Sequence, residues 1–237
     1  MIRFWDFKLS GAPPLLSLVV MAQGVRMEII LSISSVLGAL LIGAISPGPS
    51  FVLVARTSMA ASRVDGLFAA IGMGIGGVIF SAVVLLGLQA ALASVPWLYL
   101  TLKLVGGLYL VYLAVRIWRG AKEPIVIPGT EEKIRRSVKK PFLLGLSTQL
   151  SNPKTAVVYG SIFAALLPHN LPPSASLMLP FLVFLVEAGW YSIVALVLSS
   201  ESSRAAYLQS KMHVDRVAGG VMGLLGFKLI AAARPVP

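Results

Sequence analysis

Six long apolar stretches make up most of this chain and leave few folds open to it. About 20 apolar residues are enough to cross the hydrocarbon core of a bilayer as a helix. The stretches are separated by shorter connections and lie roughly at 29–55, 66–93, 97–117, 142–167, 177–199 and 217–233. This pattern predicts an all-α membrane protein with six transmembrane helices.

The composition agrees with a membrane protein. Hydrophobic residues make up 57% of the 237 residues and charged residues 12%, whereas a soluble domain has about 25% charged residues. In a soluble protein the net charge of +11 would suggest a nucleic-acid partner. Here most of the basic residues flank apolar stretches, so we expect them to meet lipid headgroups and not nucleic acid.

Several chemistries have no sequence support. The chain has no cysteine, which excludes disulfides, thiol catalysis and cysteine metal sites. It has no Walker motif for ATP, and its two histidines lack metal-ligand spacing. We therefore predict no cofactor, no metal site and no enzymatic activity.

The charged connections indicate an orientation. Basic residues cluster near Arg56 and Arg63, in 116–140 and in 204–216, whereas 94–100 carries no charge. By the positive-inside rule the basic segments are cytoplasmic. Six spans then place both termini on the periplasmic side of a bacterial inner membrane.

The first 26 residues allow two interpretations. Residues 9–23 are apolar but too short to cross a bilayer, and they could be a signal-peptide core. Alternatively Met27 is the natural start, which we favour because Met27 and Glu28 directly precede the first strong apolar stretch. We predict an N-terminal extension at 1–26 and a single transporter domain at 27–237.

Prolines interrupt one apolar stretch in each half of the chain. A proline removes a backbone donor from a helix, and in lipid the freed groups need protein or a water-filled cavity. Breaks at corresponding places in two halves point to the substrate site of a transporter with inverted repeats. The interruptions are Ser46-Pro47-Gly48-Pro49 and Ser151-Asn152-Pro153-Lys154. We predict a 3+3 inverted repeat with broken helices 1 and 4, although the two breaks stand at different distances from the starts of their stretches.

The breaks supply most of the candidate substrate-binding groups. Amides at the start of a half-helix suit a substrate carboxylate, and carbonyls ahead of the prolines suit an ammonium group. A proline kink that only shapes packing, or a lysine that reaches the cytoplasmic interface, is the structural alternative. The predicted binding residues are Ser46, Pro47, Gly48, Pro49, Ser50, Asn152, Pro153, Lys154 and Glu187.

Glu187 is the strongest single candidate, because it lies near the middle of the fifth stretch. An acidic residue at the bilayer centre costs roughly 2.5–3.5 kcal/mol on insertion scales. We expect it to be protonated or paired with Lys154 or Arg56, and to bind a substrate ammonium or carry a proton. A purely structural ion pair is the alternative.

These motifs together resemble the lysine-exporter superfamily, specifically its homoserine/threonine-resistance type. The resemblance runs through nearly all of 27–233. Its residues are Ser46 to Pro49, Gly66 with the glycine-rich second stretch, Leu102 to Leu113, Asn152 to Lys154, Leu166 to Pro168, Val186-Glu187 with Trp190-Tyr191, and Gly219 to Lys228.

The resemblance implies a six-helix inner-membrane antiporter that exports amino acids or their derivatives and is driven by the proton gradient. Two positions depart from the family pattern. Gly77 stands where many members carry an acidic residue, and Arg63 and Asp65 form the basic and acidic pair in altered order. The first departure leaves Glu187 as the main candidate for proton coupling.

Other functions remain open at this stage. A transporter of divalent cations or other small solutes would need several clustered intramembrane ligands, but only Glu187 is central. A membrane enzyme would need a nucleophile with a base or a metal cluster, and an assembly factor would need neither. Glycine tracts such as 72–77 and 219–223 allow close helix packing and suit a homodimer.

Overall fold

The computed structural model describes residues 14–94, 96–123, 139–168 and 170–233, and every regular element in these ranges is a helix. This confirms the predicted all-α class. The helices are α1 (Pro14–Ile45), α2 (Pro49–Ala60), α3 (Arg63–Ser94), α4 (Pro96–Gly120), α5 (Lys139–Ser151), α6 (Pro153–Leu166), α7 (Pro173–Val197) and α8 (Glu201–Ala231). Residues 1–13 of the predicted extension and 124–138 of the basic segment lie outside the described residues.

Three described stretches are both long and apolar enough to cross a membrane. They are Gln23–Ile45, Arg63–Gly87 and Pro173–Val197. The chain is therefore a helical protein with three candidate membrane spans among its described residues, and the count of six spans stays a prediction.

Both predicted helix breaks are present. α1 ends at Ile45 and α2 starts at Pro49, while α5 ends at Ser151 and α6 starts at Pro153. In each case proline opens the second helix, where its missing N–H costs nothing because the first amides of a helix have no intrahelical acceptor.

The first break lies about as far from the C-terminal end of its broken helix as the second break lies from the N-terminal end of its own. α2 has 12 residues after the first break, and α5 has 13 before the second. The offsets from the helix starts remain unequal, since α1 has 32 residues before the first break and α5 has 13 before the second. The first broken helix continues past Arg56 to Ala60, beyond its apolar stretch. Arg56 itself is exposed.

The sequence predicts a loop on the cytoplasmic side at 204–216; the loop is wrong, and the cytoplasmic side stays a prediction. This segment belongs to α8, a single helix of 31 residues. Lys211 bonds to Asp215 at 2.7 Å and donates to the Gly120 carbonyl at 2.9 Å. These contacts fasten the polar half of α8 to the end of α4, where a cation also complements the helix dipole.

The helices approach closely where glycines face a neighbouring backbone. A Cβ atom built on Gly145 in α5 would lie 2.2 Å from the Ala69 carbonyl oxygen in α3, and one on Gly226 in α8 would lie 2.7 Å from the Gly107 carbonyl oxygen in α4. Gly72 and Gly219, from the two glycine tracts, also face helices of the same chain. α3 thus packs against α5, and α4 against α8, through small residues.

The α3–α5 contact gives a direct test of this packing. We expect Gly145→Ala to lower the stability of the purified protein by about 1–3 kcal/mol, because the added methyl overlaps the Ala69 carbonyl and forces the helices apart. Gly160→Ala is the matched control, since nothing lies within 4 Å of its Cβ position. Thermal unfolding in detergent measures both, and equal melting temperatures would contradict the close approach.

Candidate functional site

The two breaks lie against each other in the middle of the fold. The Asn152 side-chain amide donates to the Ser50 hydroxyl at 3.2 Å. Lys154 lies just beyond the second break, and its ammonium donates to the Ser46 carbonyl of the first break at 3.4 Å. The halves of the chain are therefore joined at the points where their helices are interrupted.

Lys154 binds the carbonyl end of α1. Its ammonium donates to the Gly43 carbonyl at 3.3 Å as well as to Ser46. The last carbonyls of a helix have no intrahelical donor and carry partial negative charge. Lys154 therefore complements the partial negative charge at the end of α1, a contact that a lysine directed to the membrane interface would not make.

Two aromatic side chains bind the carbonyls between those of Gly43 and Ser46. The Trp190 indole N–H donates to the Ala44 carbonyl at 3.1 Å, and the Tyr207 hydroxyl donates to the Ile45 carbonyl at 3.5 Å. Tyr207 also stacks on Phe51, with ring centroids 5.1 Å apart. Side chains from α6, α7 and α8 thus satisfy the exposed end of α1.

The amino ends of α2 and α6 differ. Gly48 caps α2 in an extended conformation and has no side chain that could accept from its first amides. By contrast, Asn152 caps α6 by accepting from the Lys154 backbone N–H at 3.1 Å. The amides of Ser50 and Phe51 at the start of α2 are therefore the ones left for an anionic group.

Glu187 lies on α7 and is 3% exposed. The Tyr159 hydroxyl donates to its Oε1 at 2.9 Å, and the Gln149 side-chain amide donates to its Oε2 at 3.3 Å. The expected ion pair with Lys154 or Arg56 is absent, since neither side chain comes within 4.0 Å of the Glu187 carboxylate. Neutral donors, not a cation, hold this carboxyl group.

A chain of hydrogen bonds joins Glu187 to both breaks. The Ser50 hydroxyl donates to the Gln149 side-chain oxygen Oε1 at 2.8 Å, while the Gln149 side-chain amide donates to Glu187 and the Asn152 side-chain amide donates to Ser50. Buried polar groups of this kind are costly unless every member finds a partner. This chain therefore fixes the relative positions of α2, α5 and α7.

These groups line a central cavity of about 30 Å³. Six of the predicted site residues line it, namely Ser46, Gly48, Ser50, Asn152, Lys154 and Glu187. Pro47, Pro49 and Pro153 do not line it; Pro49 and Pro153 face a neighbouring pocket instead. The prolines create the breaks, and the residues beside them form the cavity wall.

Four polar residues of the wall were not predicted: Gln149, Thr155, Tyr159 and Tyr191. Gln149 precedes Asn152 by three residues, so helical spacing around the second break could have found it. The sequence gives no comparable signal for Tyr159, because tyrosines in apolar stretches usually pack like other aromatic residues. Tyr191 follows Glu187 at helical spacing and could be expected on the same face, although aromatic residues at such positions more often serve packing.

The described residues offer little to a metal ion. Within them, no group of three or more His, Asp or Glu side chains lies close enough together to bind one. What the cavity presents is a cation and free amides near the breaks and a carboxyl group across from them. This arrangement suits a small molecule that carries both charges.

Comparison with known proteins identifies the family. The family model described as LysE type translocator matches residues 41–233. The chain belongs to the LysE type translocator family. The match includes both helix breaks, Glu187 and the whole cavity wall except Leu40.

Relatives of this LysE type translocator cover most of its length. The threonine efflux protein of Escherichia coli (strain K12) is 29% identical over 192 residues, which span 80% of this chain and 93% of that protein. An uncharacterized membrane protein of Haemophilus influenzae is 30% identical over 193 residues, which span 80% and 91%. No solved structure matches the chain.

Gly77 provides a test of how the Glu187 carboxyl is held. A Cβ atom at Gly77 would lie 2.8 Å from the Tyr159 hydroxyl and 3.2 Å from the Glu187 Cγ. We expect Gly77→Ala to push Tyr159 away from Glu187 and to destabilise the protein by about 1–3 kcal/mol.

A double-mutant cycle separates this effect from general overpacking. In Tyr159→Phe the closest atom is gone, so adding Gly77→Ala to it should cost less than the two single changes together. Gly189→Ala on α7 is the control, because its Cβ position is open. Strict additivity in thermal unfolding would show that Gly77 does not govern the Tyr159–Glu187 contact.

Proposed function

We propose that this LysE type translocator is a secondary exporter of amino acids or their derivatives across the bacterial inner membrane. The observation that carries the proposal is the meeting of two broken helices and Glu187 around one buried polar cavity. The similarity to threonine efflux proteins supports an amino-acid substrate. Small neutral amino acids such as threonine are the first to test.

The substrate carboxylate binds at the first break. The amides of Ser50 and Phe51 begin α2 without a side-chain acceptor, and half-helix amino ends in transporters face anionic groups in this way. Lys154 lines the same cavity and adds a full positive charge. Backbone groups therefore recognise the part of the substrate that all amino acids share.

The substrate ammonium binds Glu187. The carbonyls at the end of α1 were the other candidates, but they are already bound by Lys154, Trp190 and Tyr207. Glu187 has no cation partner, so an ammonium would supply the missing charge. Its two neutral donors hold the carboxyl in place for that contact.

Proton coupling follows from the same residue. A buried carboxylate without a cation is costly, so Glu187 is expected to hold either a proton or the substrate ammonium. Exchange of one for the other makes inward proton flow drive export, as in an antiporter. Because Gly77 stands where many family members carry an acidic residue, we assign proton coupling to Glu187.

Transport requires the two halves to separate. A cavity of about 30 Å³ has space for one or two water molecules and is too small for an amino acid. We assign this conformation to an occluded state of a 3+3 inverted repeat with six spans. Rocking of one half against the other would break the Asn152–Ser50 contact and open the site to alternate sides.

Replacing Glu187 tests the coupling directly. We expect Glu187→Gln to insert and fold, because glutamine keeps the shape and can still bond to Gln149 and Tyr159. Efflux of labelled threonine from loaded right-side-out vesicles should fall about tenfold or more, because glutamine can neither carry a proton nor neutralise the substrate ammonium. The matched control is Glu123→Gln, which alters an exposed glutamate outside the cavity. Full transport activity in Glu187→Gln would show that Glu187 has only a structural role.

Pro47 tests the need for the first break. Pro47→Ala restores a backbone donor, so we expect a straighter first helix and reduced efflux in the same assay. Pro180→Ala is the control, because Pro180 lies inside α7 and away from the cavity. Equal efflux in both variants would contradict a role for the break in transport.

A further inference from the structure

A second pocket, open to the surface and lined largely by polar residues, lies beside the central cavity, and we call it the chamber. It has a volume of about 280 Å³ and is lined by Pro49, Ser147, Thr148, Ser151, Asn152 and Pro153. Of these residues, only Asn152 also lines the central cavity. Asn152 is therefore the residue that the two spaces share.

The backbone beside this chamber lacks donors that the end of α1 possesses. Proline at 153 has no N–H, so the Gln149 backbone carbonyl accepts from the Asn152 N–H at 3.3 Å, which would otherwise be the helical donor for the Thr148 carbonyl. The Lys154 N–H, the helical donor for the Leu150 carbonyl, is donated to the Asn152 side chain. Among the described residues, no side chain donates to the carbonyls of 148–151. Lys154, Trp190 and Tyr207 do bind the corresponding carbonyls of α1.

Polar side chains of the chamber are exposed at a depth where lipid would surround them. Ser151 lies 12 residues beyond Lys139, which at 1.5 Å per residue is about 18 Å along α5, well inside a hydrocarbon core of about 30 Å. Both Ser147 and Ser151 are exposed. The Ser147 hydroxyl donates to the Leu144 carbonyl of its own helix, but the Ser151 hydroxyl has no partner among the described residues.

Lipid hydrocarbon cannot form hydrogen bonds with these backbone carbonyls and hydroxyl groups. Non-helical backbone at membrane depth is tolerated only where protein covers it or water reaches it. The chamber has ample volume and several polar groups for water. Water is therefore the occupant that its chemistry fits.

We propose that this chamber is a water-filled vestibule through which a hydrophilic, zwitterionic solute reaches the central cavity from the cytoplasmic side. The cytoplasmic opening follows from Ser147 and Thr148, which lie between the basic start of α5 at Lys139 and the break. The direction of solute movement rests on the proposed export function. The hydration of the chamber does not.

Asn152 acts as the partition between vestibule and cavity. It is 6% exposed, its amide donates to Ser50 and its carbonyl oxygen caps α6. A rotation of this one side chain would release both bonds and join the two spaces. Asn152 can act as this barrier without contacting the side chain of the solute.

Cysteine accessibility tests the vestibule, and the natural chain has no cysteine to interfere. Ser151→Cys is compared with Leu185→Cys, which replaces a half-exposed residue near the middle of α7. Inverted vesicles are treated with a charged, membrane-impermeant thiol reagent. Because only the hydrated thiolate reacts, we expect Ser151→Cys to react at least about tenfold faster than Leu185→Cys. Ser147→Cys takes its place if the first variant does not fold.

The outcomes separate the vestibule from the export function. Equal, slow labelling at both positions would overturn the vestibule, as would labelling from the periplasmic side alone or a disulfide between two copies through Ser151→Cys. Labelling uses no transport step, so a labelled protein that exports no amino acid would contradict only the proposed function. An active exporter with an unlabelled chamber would contradict only the vestibule.

A second labelling experiment tests whether Asn152 is the barrier. Ser46→Cys places a thiol in the central cavity, where the same reagent should react slowly. Adding Asn152→Ala should raise that rate about tenfold by joining the spaces, and an unchanged rate would show that Asn152 is not the barrier.

Discussion

Free carbonyl groups at the end of α1 are the constraint around which this structure is arranged. A helix that stops inside a membrane leaves its last carbonyls without donors, and lipid supplies none. Here the carbonyls of Gly43 and Ser46 bind Lys154, while Trp190 and Tyr207 bind the two between them. The donors come from three other helices, so an interruption in α1 determines how α6, α7 and α8 are placed.

The same interruption separates the charges of the site. Lys154 is held at the negative end of α1 and is thus unable to pair with Glu187, which neutral donors bind instead. An internal ion pair between them would have left no charge for a substrate to meet. Because Lys154 and Glu187 are kept apart, each can meet the opposite charge of a substrate. The cavity is therefore complementary to a zwitterion.

Part of this could be predicted from the sequence, because it depends on local chemistry. Proline after an apolar run marks a helix break wherever the chain goes next, and an isolated carboxylate such as Glu187 in an apolar stretch must face the interior. Both predictions placed residues in the cavity wall. Membership of the translocator family was likewise readable from the order of the motifs.

The remainder depends on tertiary contacts that local patterns do not contain. Tyr159 and Trp190 look like ordinary packing residues until the break brings a carboxyl or a carbonyl within reach. The residues 204–216 carry charges typical of a loop, yet Lys211 pairs with Asp215 within a helix. The chain-wide charge pattern also could not show that Lys154 would bind backbone and leave Glu187 without a cation.

The most direct measurement asks whether the two interruptions touch in the membrane. Ser50→Cys and Asn152→Cys together place thiols at groups that are 3.2 Å apart in this structure, in a chain that has no other cysteine. A short bifunctional thiol reagent applied to membranes should join them within one chain, whereas Ser50→Cys paired with Leu185→Cys should stay open. Two thiols that each react singly but never link would show that the breaks lie apart, and the shared cavity would then not exist.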